Sequence, residues 1–460
     1  MLTFLAFVRD ELLLFAAVGL LVGGLDDLLV DLIYFVRRFW RRITIYSRFP
    51  KMTTQGLPSV GSVGPVAVFV PAWDESAVIG QMVRGCMKAW AGEDVHLFIG
   101  VYPNDKSTIA AIAQALSEGW SDHVTVVING RSGPTTKADA LNCCWRAMLR
   151  WEKEERRRMR AVVLHDAEDV VHPDSIRLIG WLAERFSLIQ LPVLPLVASG
   201  SRWISGHYCD EFAEAHGKAL LVREALGASM PSAGVGCGFS RGVMGEVARR
   251  RDGNPFDESS LTEDYELGLR IAEMGGRGIL VRMRDARGAL IATQEYFPDT
   301  LSAAVKQKAR WTVGIALAGW DRLGWSGGLG ETWMRLRDRR ATLAAIVLLT
   351  AYAGMLLTAG LWMIEGLALI SLPPLPSALT FLLGLNAALL VWRLSVRACF
   401  VWEAYGPAEA LRSVPRTFVA NIVQMLAARR ALVIYLRHLR GEKLVWDKTA
   451  HRFPDQAKAA

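Results

Sequence analysis

The six cysteines, Cys86, Cys143, Cys144, Cys209, Cys237 and Cys399, include no C-x-x-C pair, and no histidine stands at zinc-finger spacing from any of them. Neither a structural zinc site nor a disulfide framework is therefore expected, and a reducing compartment is the natural setting. Charge is scarce as well: Asp, Glu, Lys and Arg make up 21% of the chain against 52% hydrophobic residues, with a mean hydropathy of +0.23. That balance excludes a disordered chain and is unusually apolar for a soluble enzyme, so a membrane is implied before any motif is read. A cleaved leader is not expected, because Asp10 and Glu11 stand where a secretory signal carries positive charge and no Ala-x-Ala site follows the apolar stretch. The 460 residues suffice for two or three domains. Their 53 basic and 45 acidic side chains leave a surplus of +8 that suits a nucleic acid, an anionic leaflet or a phosphorylated substrate until its placement is known.

The apolar residues are concentrated in runs. Residues 343–364 and 378–402, separated by Pro373, Pro374 and Pro376, are each long enough to cross a bilayer, which takes about 20 residues. In the second run Arg393 and Arg397 lie four apart on one helical face, where long side chains can snorkel to headgroups. A further run, 12–36, contains Asp26, Asp27 and Asp31. Either the span slides toward the N-terminus and leaves these acids at the interface, or they face protein or water as a functional site. Arg37, Arg38, Arg41 and Arg42 follow this run, and Arg335, Arg337, Arg339 and Arg340 precede the next. The positive-inside rule then puts residues 40–340 in the cytoplasm. These basic clusters are juxtamembrane and lack interleaved aromatic platforms, so the bilayer is the expected partner and nucleic acid is not. Residues 414–439 alternate apolar and basic side chains and read as a helix on the interface, a re-entrant segment or a docking helix. The expected organisation is a membrane helix in 1–40, a cytoplasmic domain in 41–325 with an interface helix near 300–320, transmembrane helices in 326–410, and an interfacial helix and tail in 411–460.

Within the cytoplasmic part, β-branched runs at 66–70, 95–101, 124–128 and 161–164 alternate with helical patterns at 77–90, 108–118 and 137–150. Strand and helix at this spacing predict βαβ units and an α/β fold with a mostly parallel sheet. Ligands bind such sheets beyond the carboxyl ends of the strands. The residues there are Pro71-Ala72-Trp73-Asp74-Glu75 after the first strand, Pro103-Asn104-Asp105 after the second, Asn129 and then Lys137 after the third, and His165-Asp166-Ala167-Glu168-Asp169 after the fourth. Three acids within four residues repel one another unless a cation sits among them. Hard oxygen donors beside a phosphate-bearing substrate fit Mg2+ or Mn2+. Taken singly, Thr262-Glu263-Asp264 reads as a helix N-cap with acids in the first turn, and Trp311, Trp320 and Trp325 as interface anchors. His165 and His172 match no helical face as a ligand pair.

The ordered set of Val70-Pro71-Ala72-Trp73-Asp74-Glu75, Asp166-Ala167-Glu168, Thr262-Glu263-Asp264 and Gln307-Lys308-Ala309-Arg310-Trp311 resembles the family 2 glycosyltransferases of GT-A fold. Within them it is most similar to the membrane-bound, often processive branch that includes cellulose and hyaluronan synthases. Leu25-Asp26-Asp27-Leu28, the Tyr102-Pro103-Asn104-Asp105 turn and the tail Trp446-Asp447-Lys448-Thr449-Ala450-His451-Arg452-Phe453-Pro454 resemble, inside that branch, transferases of the bacteriophage adsorption protein B type.

The resemblance implies a GT-A, Rossmann-like domain and an inverting transfer from a UDP-sugar to a glycan acceptor at the bacterial inner membrane. By the same resemblance Pro71, Glu75 and Asp105 surround the uridine, with Lys137 near the nucleotide, and Asp166 and Glu168 hold Mg2+ or Mn2+ on the diphosphate. Asp264, beside Glu263, is the general base. Gln307, Arg310 and Trp311 serve the leaving diphosphate and the acceptor sugar, and Gly236-Cys237-Gly238 forms an acceptor-side turn. Two or three spans are few for a polysaccharide channel, which implies a dimer, or an export or outer-membrane partner. Single transfer to a polyprenyl-phosphate lipid, and a non-catalytic scaffold for glycan export or phage adsorption, stand as alternatives.

Overall fold

Six consecutive residues, Val66–Pro71, are buried on both sides and form β1, the strand around which the sheet is built. The computed structural model describes residues 2–368, 373–442 and 452–454; of the tail motif, Trp446 to His451 lie outside the described residues. A long helix, α1 (Leu2–Thr44), precedes the sheet. After β1 come α2 (Ile79–Ala89), β2 (Val95–Val101), α3 (Lys106–Leu116), β3 (Val124–Ile128), α4 (Lys137–Glu154), β4 (Ala161–Leu164) and α5 (Ser175–Leu182). β1 pairs in parallel with β2 and β4, and β2 with β3. Pro71 lies opposite Gly100, Val101 opposite Ile128, and Leu164 opposite Phe69, so the residues that follow these strands open on one rim.

The chain continues through β5 (Leu188–Gln190), β6 (Val193–Pro195), α6 (Gly206–Glu214), a π-helical turn (Ala215–Ala219), α7 (Leu220–Ala225), β7 (Cys237–Ser240), α8 (Arg241–Arg249), α9 (Glu263–Glu273), β8 (Gly278–Leu280) and β9 (Thr293–Glu295). The main sheet has the order β3-β2-β1-β4-β7-β5-β8, mostly parallel, with β7 antiparallel to both neighbours. The strands from β5 onward have three or four residues each, too short for a periodic signal in the sequence. One expectation is corrected here. Cys237 and Gly238 pair with Leu164 and Val163, so they enter the sheet, and the turn belongs to the preceding residues, 232–236.

Apolar positions three and four apart turn the helices onto the sheet. Met82, Val83 and Cys86 of α2, Ile112 of α3 and Ile179 of α5 cover one face. Leu141, Cys144, Trp145 and Met148 of α4, Val247 of α8 and Ile271 of α9 cover the other.

Beyond β9 the chain is helical: α10 (Leu301–Thr312), a π-helical turn (Val313–Leu317), α11 (Ala318–Leu323), α12 (Leu329–Arg339), α13 (Ala341–Ala368), α14 (Ser377–Tyr405) and α15 (Pro407–Leu439). Among the described residues, four helices, α1, α13, α14 and α15, are long and apolar enough to cross a membrane. The 43 residues of α1 extend about 65 Å at about 1.5 Å each, roughly twice a hydrocarbon core. Val423, Ala427 and Ala431 of α15 pack on the α10 region, whereas Leu411, Phe418, Ile422 and Leu436 are exposed. One face of α15 is thus docked and an apolar face is open.

The acids of α1 face protein. Asp26 accepts from Trp333 Nε1 at 2.6 Å and pairs with Arg337 and Arg340, while Asp27 pairs with Arg340 at 2.7 Å, Arg337 at 3.0 Å and Arg393. Asp31 pairs with Lys218 and accepts from Trp392 Nε1 at 2.9 Å. Arg393 and Arg397, expected to snorkel, each find a carboxylate instead: Arg393 pairs with Asp27 and Arg397 meets Glu214 at 3.0 Å.

A second set of charges is buried more completely. Arg416 of α15 has no exposed side-chain surface; it donates from Nε to Asp210 Oδ2 at 2.9 Å and pairs with Glu409 at 2.6 Å. Replacing one member of a buried pair leaves the other charge without compensation. Arg416→Ala is expected to cost about 3–5 kcal/mol, read as a lowered melting temperature in detergent, and an unchanged melting temperature would show that α15 docks without the pair.

Candidate active site

The loop after β1 is fastened to the loop after β2. Asp105 caps α3, accepting from Thr108 N at 3.2 Å and Ser107 Oγ at 3.0 Å, and its second oxygen accepts from the backbone N–H of Asp74 at 2.6 Å. Burial pushes its carboxyl up, but these donors outweigh it and hold the group below the ordinary aspartate range. The Glu75 backbone N–H donates to Thr108 Oγ1 at 2.9 Å, so α3 anchors both loops. Pro71 ends β1 and is buried, as is Glu75. Trp73 and Tyr102 meet edge to face at 5.2 Å, and the Asn104 side chain exchanges two hydrogen bonds with the Gly133 backbone, of 2.9 and 2.8 Å, closing this end of the rim.

Lys137, the first residue of α4, reaches Asp166 Oδ1 at 2.5 Å. Burial works against its ammonium, but Asp166, Glu263 and Asp264 together hold its pKa far above the ordinary lysine value. The reciprocal effects run through the acids. Burial and Asp264 push the Glu263 carboxyl up; burial also raises Asp264, against the pull of Lys137 and Arg310. Sequence-distant Lys137, Asp166, Glu263, Asp264 and Arg310 are thereby brought to one place. Thr262 precedes α9 at the N-cap position, yet its hydroxyl caps nothing and is buried without a partner, so the helix start presents its acids uncapped.

In the loop after β4, Asp169 turns inward. Its Oδ2 is held by His165 Nδ1 at 2.6 Å and by the Asp166 backbone N–H at 3.2 Å, and its side chain is fully buried. Burial lowers the His165 pKa to about 4, so the ring is neutral. His172 instead approaches Asp285 and Asp174, so the two histidines form no ligand pair. Asp166, partly exposed, and Glu168, buried, remain as the rim carboxylates of this loop. Among the described residues, no three His, Cys, Asp or Glu side chains converge into a cation cage. An oxygen-only pair of carboxylates, one already holding the Lys137 ammonium, fits a hard divalent ion that takes its other ligands from water and phosphate.

α10 supplies the opposite wall. Gln307 Oε1 is buried without a partner, and Arg310 has no ion pair among the described residues. Trp311 is half-buried against Tyr208, Phe212 and Phe297, with ring centroids 6.1, 6.3 and 6.3 Å away. The π-helical turn that follows carries Gly314, where a Cβ would stand 2.5 Å from the side chain of Thr262. The absence of that atom lets the end of α10 lie directly on the Thr262-Glu263-Asp264 segment. Trp320 and Trp325 lie elsewhere, stacked beside Arg339.

Several site residues are not evident from the sequence. Asp139 accepts from Asn129 Nδ2 and Thr135 Oγ1, both at 2.7 Å, and from Arg131, which also reaches Glu258 at 3.0 Å. This network shapes the loop that leads to Lys137; its only sequence signal is the polar run after β3. Gln190 fixes the 232–236 turn, donating to Val235 O at 3.0 Å and accepting from Ala233 N at 2.8 Å. Gly234 in that turn has φ +78°, and a Cβ there would fall 2.1 Å from Asp264 Oδ2, so glycine is required both for the backbone and for access to the carboxylate.

The family model described as glycosyltransferase-like family 2 matches residues 64–314. The chain is 38% identical over 467 aligned positions to bacteriophage adsorption protein B of Escherichia coli K12, and equally to bacteriophage N4 adsorption protein B of Escherichia coli O157:H7. Each alignment covers 95% of this chain and 61% of the relative, so the chain spans less than two thirds of the length of these relatives. A mannosyltransferase from Pyrobaculum calidifontis, solved with GDP-Man and Mn2+, shares the fold: its TM-score is 0.56 at 17% identity, covering 91% of this chain and 99% of that one. The family match runs over more than half of the chain, from just before β1 to the turn after Trp311, and the chain belongs to the glycosyltransferase-like family 2.

Proposed function

We propose that this glycosyltransferase moves a sugar from a UDP-sugar onto the end of a growing surface or exopolysaccharide chain, with inversion, at the cytoplasmic face of the bacterial inner membrane. The observation that carries the reading is the gathering of Lys137, Asp166, Glu263, Asp264 and Arg310 around one point of the rim.

In this reading Pro71, Glu75 and the loops tied by Asp105 receive the uridine. Asp166 and Glu168 would hold Mg2+ or Mn2+, and the ion when bound neutralises charge on the diphosphate. Lys137 lies beside the same oxygens. Breaking the sugar–phosphate bond leaves a diphosphate with added negative charge, and Arg310, which forms no ion pair among the described residues, would stabilise it as it develops. An acceptor hydroxyl is a weak nucleophile at neutral pH. Asp264, raised by burial and standing in the gap left by Gly234, takes its proton as the hydroxyl oxygen attacks the anomeric carbon. Glu263 adds to the field that holds Lys137 in place, and Gln307 offers a buried carbonyl oxygen to a hydroxyl donor. The Trp311 indole gives a pyranose a flat apolar face. One base without a second catalytic carboxylate means a single displacement, hence inversion.

The membrane assignment rests on the basic residues at the end of α1 and before α13. The names of the relatives support a glycan that reaches the cell surface, which requires an export or outer-membrane partner. The exposed apolar face of α15 behind α10 favours a second reading, in which the acceptor is a polyprenyl-phosphate lipid and transfer occurs once.

The test is UDP release and sugar incorporation by the detergent-purified protein across a panel of UDP-sugars, with GDP-mannose included. Asp264→Asn is expected to lower transfer by about 100- to 10,000-fold while UDP binding is retained; normal release by this variant would refute the mechanism. A ladder of product sizes is expected, and a single added sugar would establish the lipid reading instead. Chelation of divalent ions is expected to abolish transfer, with recovery on adding Mn2+ or Mg2+ to the wild type but not to Asp166→Ala; activity that survives chelation would remove the ion from the mechanism.

A further inference from the structure

We infer that Glu211 is a positioning residue for the acceptor half of the site: by holding Lys308, it sets α10, and Trp311 with it, against α6. The inference rests on the transferase reading above and extends it to a residue outside the rim motifs.

Lys308 stands inside the Gln307-Arg310-Trp311 motif, but its ammonium turns away from the rim. It pairs with Glu211 and lies over the Tyr208 ring, 5.2 Å from the centroid. Tyr208 and Glu211 are three apart on α6 and share the face that meets α10. Tyr208 donates to Ala304 O of α10 at 3.4 Å and presents its ring edge-on to Trp311. One lysine thus joins the carboxylate and the aromatic side chain that frame Trp311. Other acids of α6 are committed to the long helices. Asp210 holds Arg416 of α15, and Glu214 holds Arg397 of α14 and Lys218, which also meets Asp31 of α1. α6 therefore stands between α10 and three of the membrane-directed helices, and the Glu211–Lys308 pair is its charged link to α10.

Lys308 is buried, whereas Glu211 keeps 46% of its side chain exposed. Glu211→Gln removes the charge but keeps a side-chain oxygen within reach of the buried Lys308 ammonium, so it should alter the placement of α10 before it alters folding. Transfer to acceptor depends on that placement. Donor cleavage by water depends on the rim, where Lys137, Asp166 and Asp264 lie.

The experiment measures two rates on the full-length protein in detergent, using the donor that the wild type turns over. One is nucleotide release without acceptor; the other is incorporation of radiolabelled sugar into a titrated membrane extract from cells that produce the wild-type protein. Glu211→Gln is expected to raise the half-saturating amount of extract by about tenfold, the scale of one charge-assisted hydrogen bond, with acceptor-free release and melting temperature unchanged. Lys308→Arg is expected to behave as wild type, and the exchange of Glu211→Lys with Lys308→Glu to restore most of the loss. An unchanged dependence on extract in Glu211→Gln, or a parallel fall of both rates, overturns the inference. Wild-type protein that releases nucleotide from no donor overturns the transferase reading itself, and the inference with it, which separates the two failures.

Discussion

The interaction on which the site depends is the Lys137 ammonium among carboxylates. Asp166, Glu263 and Asp264 come from two distant parts of the chain, and without a cation between them their mutual repulsion would be relieved by protonation or by spreading of the loops. Lys137 is fixed for this task by its place at the start of α4, behind the Thr136 cap and the Asp139 network. Lys137 offsets part of this negative charge and Arg310 acts on Asp264 from α10, while burial pushes Glu263 and Asp264 up.

Charge pairing holds the long apolar helices in the same way. α1 brings three acids to the level where α12 and α14 bring arginines, and each acid finds a basic partner. Expensive groups at an apolar boundary are tolerated when paired, and pairing also sets direction. A helix of 43 residues with a uniform apolar surface could slide along its neighbours, but one whose Asp26, Asp27 and Asp31 each answer a particular base cannot. That these acids face protein is evident only from their partners, which no single-chain periodicity reveals.

What the sequence made legible follows from locality. β1 to β4 and α2 to α4 are evident because burial on both faces of a strand and on one face of a helix imposes runs and periods on adjacent residues. The rim motifs are evident for the same reason, each being a short string behind a strand. β5 to β9 are not, since three or four residues carry no period. The Gly236-Cys237-Gly238 segment was expected as an acceptor-side turn from the family resemblance, whereas pairing with β4 and β5 draws Cys237 and Gly238 into the sheet. Arg393 and Arg397 were expected to reach headgroups because their acidic partners lie 366 and 183 residues away. Asp139, Gln190 and Gly234 act through contacts with loops that no spacing rule connects to them.

The two halves of the site differ accordingly in how they are held. The donor half is built from consecutive βα connections, and its geometry follows from strand ends that stop level with one another. The acceptor half, centred on α10, is continuous with none of them. It is located by Gly314 against Thr262 on one side and by α6 and α15 on the other. Because α6 and α15 also grip α14, and Lys218 just after α6 reaches Asp31 of α1, α10 is held by elements that pack on the long apolar helices. The segments that carry Lys137 and Asp166 and the helix that carries Arg310 and Trp311 are thus anchored to different parts of the fold, the first to strand ends and the second to the long apolar helices, so the two can move relative to one another without either losing its own support.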